Sequence, residues 1–327
     1  MVYWKLGWSV VGLFAGLWLP AIVAGQGCSD AGFCTLGSIR SLNVTQNNSK
    51  NFSLLGLGVS AGLGEKNTLI VNPAIEWSQV FSPKFAVHGR FTYQYASGNL
   101  GKVGGISDAF LSIIPTIYRK KDTDSTQHNL LITSTIGVRA PLGRTDFESG
   151  KLDSASLMPI TYPMAYQPGL GSLDLIAGAT LQIKSWHISV ATQLPVYHVN
   201  RNNFIRLPDS LEKSDEKYFE SRQLIRKPDV MLRLDKRFKA GEKLQLSAGL
   251  LALYHLGNDT SLDSIGKRFE HIDSQGISVN INLGILWLVG KHFRIEVQTG
   301  NPIIVRKNRP DGLTRIAVFT TALQYSF

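Results

Sequence analysis

Residues 277–289 read ISVNINLGILWLV, in which apolar residues alternate with small or polar ones from Ile277 to Ile285. Successive side chains of a β-strand point to opposite faces. Ile277, Val279, Ile281, Leu283, Ile285, Trp287 and Val289 therefore share one face, and Ser278, Asn280, Asn282 and Gly284 share the other. Residues 293–300, FRIEVQTG, repeat the pattern, with Phe293, Ile295 and Val297 set against Arg294, Glu296 and Gln298. A strand of a globular sandwich also hides one apolar face, but such strands average about half this length. A strand that crosses a bilayer turns its apolar face to lipid and its polar face to a lumen.

The same period marks twelve segments, at 51–64, 68–81, 85–97, 105–119, 128–140, 173–184, 186–198, 226–238, 244–256, 276–289, 292–304 and 314–327. At about 13 residues each, rising about 3.3 Å per residue and tilted near 45°, they span roughly 30 Å, the thickness of a hydrocarbon core. The connections alternate in length. SPK (82–84), KKDTDSTQ (120–127), KS (184–185), AGEK (240–243) and GKH (290–292) are short, whereas 141–172, 199–225 and 257–275 are long and polar. Outer-membrane barrels keep their periplasmic turns short and let extracellular loops grow. The sequence thus predicts an all-β protein: a transmembrane antiparallel β-barrel of twelve strands in the cell outer membrane of a Gram-negative bacterium, with the lipid bilayer as its first partner. Beyond residue 23 no run of 18 apolar residues exists to build a transmembrane helix bundle.

The front end predicts export. Lys5, an apolar run from Leu6 to Val23 and small residues at Ala24 and Gly25 have the three parts of a secretory signal peptide over 1–25, the alternative being a retained anchor. Residues 26–50 then hold Cys28 and Cys34, the two cysteines of the chain. Two thiols are too few for a thiolate zinc cage, and Gly25, Gln26 and Gly27 make a poor box for lipid attachment. In an exported chain the pair is expected to form a disulfide, stabilising a short loop by about 2 kcal/mol. That would make 26–50 a compact knot at or in the periplasmic mouth, ahead of the barrel at 51–327.

The net charge of +10 does not point to nucleic acid, because Lys and Arg are scattered rather than clustered. Projecting the alternation inward places His88, Arg90, Arg139, Asp174, His187, Arg233, Asp235, Arg237, Arg294 and Glu296 toward the lumen, with Gln94, Gln182, Gln193 and Gln298. Such residues line a pore or pair with one another and fill it; a ring of unpaired Arg would favour anions or carboxylates. Catalysis is not expected. His187 and Ser189 have a His-x-Ser spacing similar to that of outer-membrane phospholipases, yet both project inward and no Asn follows at the needed interval. His271 and Asp273 lie near a loop without the paired Asp of an omptin-like protease. No phosphate loop, GxSxG elbow or HExxH helix is present, and no metal or cofactor is implied.

Three stretches carry a resemblance. QGCSDAGFCTLG, from Gln26, is similar to the mature N-terminus of many Bacteroidota outer-membrane barrels. YQPGLGSLDLIAGATL, through Pro168, Gly169, Gly171, Ser172 and Asp174, resembles the Gly-rich strand start of outer-membrane transporters of the MetA-pathway (phenol degradation) type, distantly like long-chain fatty acid transporters. The closing FTTALQYSF, with Phe327, Tyr325, Leu323 and Phe319 alternating, resembles the C-terminal signal by which the outer-membrane assembly machinery recognises barrels. The resemblance implies a channel or transporter for passive movement of a small solute, hydrophobic ones included, with 141–172 and the N-terminal segment as gates and Gly169 and Gly171 as loop hinges. The alternative is a structural or surface-interaction barrel with a closed lumen and partner-binding loops. Asp-Ser-x triplets at Asp153, Asp209 and Asp263 resemble Bacteroidota O-glycosylation sites.

Overall fold

A computed structural model describes residues 52–64, 67–121, 128–152, 159–205, 218–312 and 315–327. The signal peptide, the Cys28 and Cys34 pair, the segment 26–50, and Asp153 and Asp209 lie outside the described residues. Within them the chain is all β. Its strands are β1 Phe52–Gly64, β2 Leu69–Ser82, β3 Phe85–Gly98, β4 Gly101–Ile106, β5 Ala109–Lys121, β6 His128–Ala140, β7 Glu148–Leu152, β8 Pro159–Thr161 and β9 Ser172–Ile183. They continue with β10 Trp186–His198, β11 Asp229–Lys239, β12 Leu244–His255, β13 Thr260–Leu262, β14 Arg268–Glu270, β15 Gly276–Val289, β16 Phe293–Ile304 and β17 Arg315–Ser326.

Twelve long strands form one antiparallel sheet, and β1 pairs with both β2 and β17, so the sheet closes on itself. Ser53 and Phe327 exchange backbone hydrogen bonds of 2.9 and 3.0 Å across that seam. Closure removes the unpaired edges that would otherwise template aggregation. The twelve expected segments coincide with the long strands, with two differences. The fourth begins earlier: β4 pairs with the upper end of β3 through a tight turn at Asn99 and Leu100, and β4 and β5 are one wall strand broken at Ser107 and Asp108. The eighth begins later, because Arg226 and Lys227 leave the wall before Asp229. Two small hairpins inside the long loops, β7–β8 and β13–β14, have no period long enough to read from sequence.

The outer face is apolar where a soluble protein would be polar. Leu57, Ile75, Leu111, Ile117, Val190, Leu232 and Ile281 are exposed, whereas Ser78, Ser112, Thr180, Ser189 and Asn282 point inward and are buried. Aromatic residues collect at both rims. Phe293 meets Tyr325 at a tilt, 5.0 Å between ring centres, and Tyr325 stacks on Phe327 at 5.8 Å at the short-turn rim, where Lys236 also lies 4.9 Å over Trp186. Tyr95, Tyr197 and Tyr254 are exposed near the loop rim. An outward apolar band between aromatic girdles is the surface of a transmembrane barrel, and it places this chain in an outer membrane. By that convention the short turns are periplasmic and the loops extracellular.

Candidate functional site

The inward side chains divide the lumen into three storeys, and β11 passes through all of them. From the loop end downward its inward residues are Asp229, Met231, Arg233, Asp235 and Arg237. Asp229 belongs to an ionic network, Met231 to an apolar layer, and the last three to a cavity.

The cavity occupies the periplasmic half and measures about 150 Å³. Its wall includes Glu76, His88, Arg90, Arg233, Asp235, Arg237, Arg294 and Glu296, so seven of the ten lumen candidates read from the sequence share it. Arg233 pairs with Asp235 along its own strand, and Arg90 lies 3.5 Å from Glu76 across β2 and β3. Glu296 is held through both oxygens: Oε1 accepts from the Gln298 amide and Oε2 from the Gln324 amide at 3.5 Å. His88 Nδ1 contacts Ser78 Oγ at 2.9 Å, with the Phe110 ring 6.0 Å from the imidazole. His187 faces inward opposite Asp235 but lies outside the cavity wall. Above the cavity, Phe110, Ile176, Ala191, Met231, Leu251 and Leu253 pack into a buried apolar layer that the sequence reading, with its uniformly polar lumen, did not expect.

The extracellular storey holds the other two candidates, Arg139 and Asp174, in a continuous buried network. Arg139 pairs with Asp174, and its Nε is 3.7 Å from Asp108. Asp174 also accepts from Gln193 and lies 3.9 Å from Arg226. Arg226 donates to Asp229 at 2.9 Å and to Asp311 at 3.2 Å, and Arg306 donates to Asp311 at 3.2 Å. Burial works against the Arg226 charge, but Asp311, Asp229, Asp174 and Asp259 together hold its pKa above the ordinary arginine value. His255 bridges two carboxylates, with Nδ1 2.6 Å from Asp229 and Nε2 2.9 Å from Asp259. A neutral imidazole has one N–H and could donate to only one of the two. The network joins β6, β9, β10, β11 and β12 to the segments before β11, before β13 and before β17, and so crosses the lumen.

Beside the network the described part of the 141–172 loop folds inward. Tyr162, Met164, Ala165 and Tyr166 are buried, Tyr166 completely. Tyr162 stacks on Tyr166 at 5.3 Å, Tyr166 meets Tyr218 edge-on at 5.9 Å, and the cluster packs on Ile70, Ala96 and Val103 of the inner wall. Wall residue Gln94 donates to the Gln167 carbonyl at 2.8 Å. Asn202, from the next loop, donates to the carbonyls of Thr145 and Tyr162, each at 2.8 Å.

Both expected hinge glycines sit at close approaches. Gly171 has φ +70°, and a Cβ there would lie 2.7 Å from the Asn200 Cα; a Cβ on Gly169 would overlap the Gly143 carbonyl. Asp263 caps a turn, its Oδ1 accepting from the amides of Ile265 and Lys267 at 3.0 and 2.8 Å. His271 hydrogen-bonds Ser261 at 2.8 Å, and both are buried. The sequence reading missed Arg226, Asp229, His255, Asp259, Arg306 and Asp311. Alternation offered a signal for two of them: Asp229 shares the inward parity of Arg233, and His255 that of Leu251 and Leu253. The others lie in loops, where no period assigns a face.

No family model and no curated protein sequence matches the chain. Solved structures do. An outer membrane channel from Pseudomonas putida F1 superposes with a TM-score of 0.55 at 11% identity, over 88% of this chain and 99% of that one. The NanC porin superposes with a TM-score of 0.45 at 5% identity over 84% and 98% of the two chains. The KdgM porin does so at 0.40 and 8% over 84% and 99%. The first of these likenesses shows the fold, a closed antiparallel outer-membrane β-barrel.

Proposed function

We propose that this barrel is a gated outer-membrane channel through which small solutes, hydrophobic ones included, pass without an energy source or a catalytic step. One observation carries the reading. In the extracellular half of the lumen an inward-folded loop packs on the wall beside an ionic network shared by loops and strands, above an apolar layer borne by the strands, while the periplasmic half keeps a cavity. A segment hung on Gly169 and Gly171 is a part that can leave; a wall is not. The N-terminal segment, tied by the proposed Cys28 to Cys34 disulfide, serves as a second gate on the periplasmic side, and Phe327 presents the strand that the assembly machinery recognises. The solute class follows from the resemblance to MetA-pathway transporters. The same closure also suits a barrel that binds partners through its loops and conducts nothing.

Planar-bilayer recording of the purified protein separates the two. A channel shows low or intermittent conductance that rises when Tyr166→Ala removes the ring through which the loop grips the wall. Absence of conductance in both proteins, with no solute uptake into liposomes, would leave the closed-barrel reading standing instead.

A further inference from the structure

We infer that the periplasmic cavity is a binding site for a small organic monoanion, a carboxylate whose apolar body is no larger than one six-membered ring. The inference names a solute class for the proposed channel and rests on that reading. It begins with charge. Four guanidinium groups, Arg90, Arg233, Arg237 and Arg294, line the cavity with three carboxylates, Glu76, Asp235 and Glu296. Among the described residues the wall therefore carries one more positive than negative charge. Asp235 pairs with Arg233 and Glu76 with Arg90, and the third carboxylate, Glu296, accepts from two glutamine amides and also acts on the Arg294 charge. The carboxylates are thus fixed in place, and Arg237 and Arg294 approach the same cavity from β11 and β16.

A charged wall in a space closed above by an apolar layer and bounded by a lipid-clad barrel focuses its field, because the surrounding walls are of low dielectric. One bound anion brings the wall to neutrality, and the planar fork of arginine suits a carboxylate in two-point contact. The rest of the lining selects what the carboxylate is attached to. Leu54, Phe110, Ile114 and Leu286 face the same cavity and offer apolar surface, which an inorganic anion would not use. A volume of about 150 Å³ is that of a site able to hold one benzene ring in a protein interior, so a ring bearing a single carboxylate fits and a disaccharide does not.

Fluorine NMR of the folded, detergent-solubilised full chain tests this with two probes of matched size, 4-fluorobenzoate and 4-fluorobenzylamine. The expected result is saturable line broadening of the acid and none of the amine. Arg294→Gln and Arg237→Gln each weaken acid binding by about tenfold, the loss of one charge-assisted hydrogen bond. The gel mobility of the folded barrel confirms that each variant has closed. Equal binding of the two probes, no binding of the acid, or unchanged binding in both folded variants overturns the proposal. If neither variant folds, the comparison of probes on the unaltered protein decides alone. Conductance recorded on the same preparation keeps the two ideas apart. Conductance without acid binding discards the site and leaves the channel; acid binding without conductance discards the channel and leaves a ligand site in a closed barrel.

Discussion

His271 shows how one side chain can make a loop sensitive to acid. It sits outside the membrane-spanning strands, hydrogen-bonded to Ser261 and packed 4.8 Å from the Phe269 ring, so it ties the β13–β14 hairpin together. Burial pushes its pKa below the ordinary 6.5, and the nearby Asp259 and Asp311 only partly oppose the shift. The folded state therefore favours the neutral ring. The stabilisation is complete above about pH 6.5 and is lost as pH falls through the lower value of the folded protein. Hydrogen exchange, corrected for its intrinsic pH dependence, should show the amides of 260–270 losing protection between about pH 7 and 5, and His271→Gln should abolish that change. Equal protection at both pH values would refute this. His271 was visible in the sequence only as a loop histidine, because its partner Ser261 is placed by the hairpin and not by any spacing.

At the level of elements, the strands were legible because a bilayer enforces period two over their whole length. In β15 every position assigned outward, from Ile277 to Val289, is less buried than its inward neighbours Ser278, Asn280 and Asn282. The consequence is measurable. Leu283→Arg puts a charge near the middle of the lipid face and should destabilise the barrel by about 2–4 kcal/mol in lipid-vesicle unfolding, whereas an arginine at the inward Asn282 should cost much less. Equal costs at the two sites would mean that the faces are misassigned. The loops were not legible for the complementary reason. Tyr162, Tyr166 and Tyr218 lie in segments with no regular period, and what buries them is the wall they fold against. The start of β11 failed in the same way: the alternation runs on to residue 226, but Arg226 is drawn out of the sheet by Asp229 and Asp311.

Across the whole molecule, the ionic storey makes the barrel's shape and its closure interdependent. Arg226 serves three carboxylates from β9, β11 and the segment before β17, so its removal leaves several buried charges without their cation. Arg226→Ala should loosen the extracellular closure by about 3–5 kcal/mol, read as faster proteolysis of the loops while the strands stay protected. Unchanged loop proteolysis would show that the closure does not depend on this residue. The seam between β1 and β17 has a different bearing, on the order of events in the life of the chain. Its two strands lie at opposite ends of the barrel sequence, yet Leu54 pairs with Ser326 and Gly62 with Val318. The first strand can find its second neighbour only after the last has been synthesised and delivered. Until then the chain carries two sticky margins, and any helper that escorts it must shield both. Cylinder formation is a single late event, and a nascent chain stopped short of β17 has no partial version of it to fall back on.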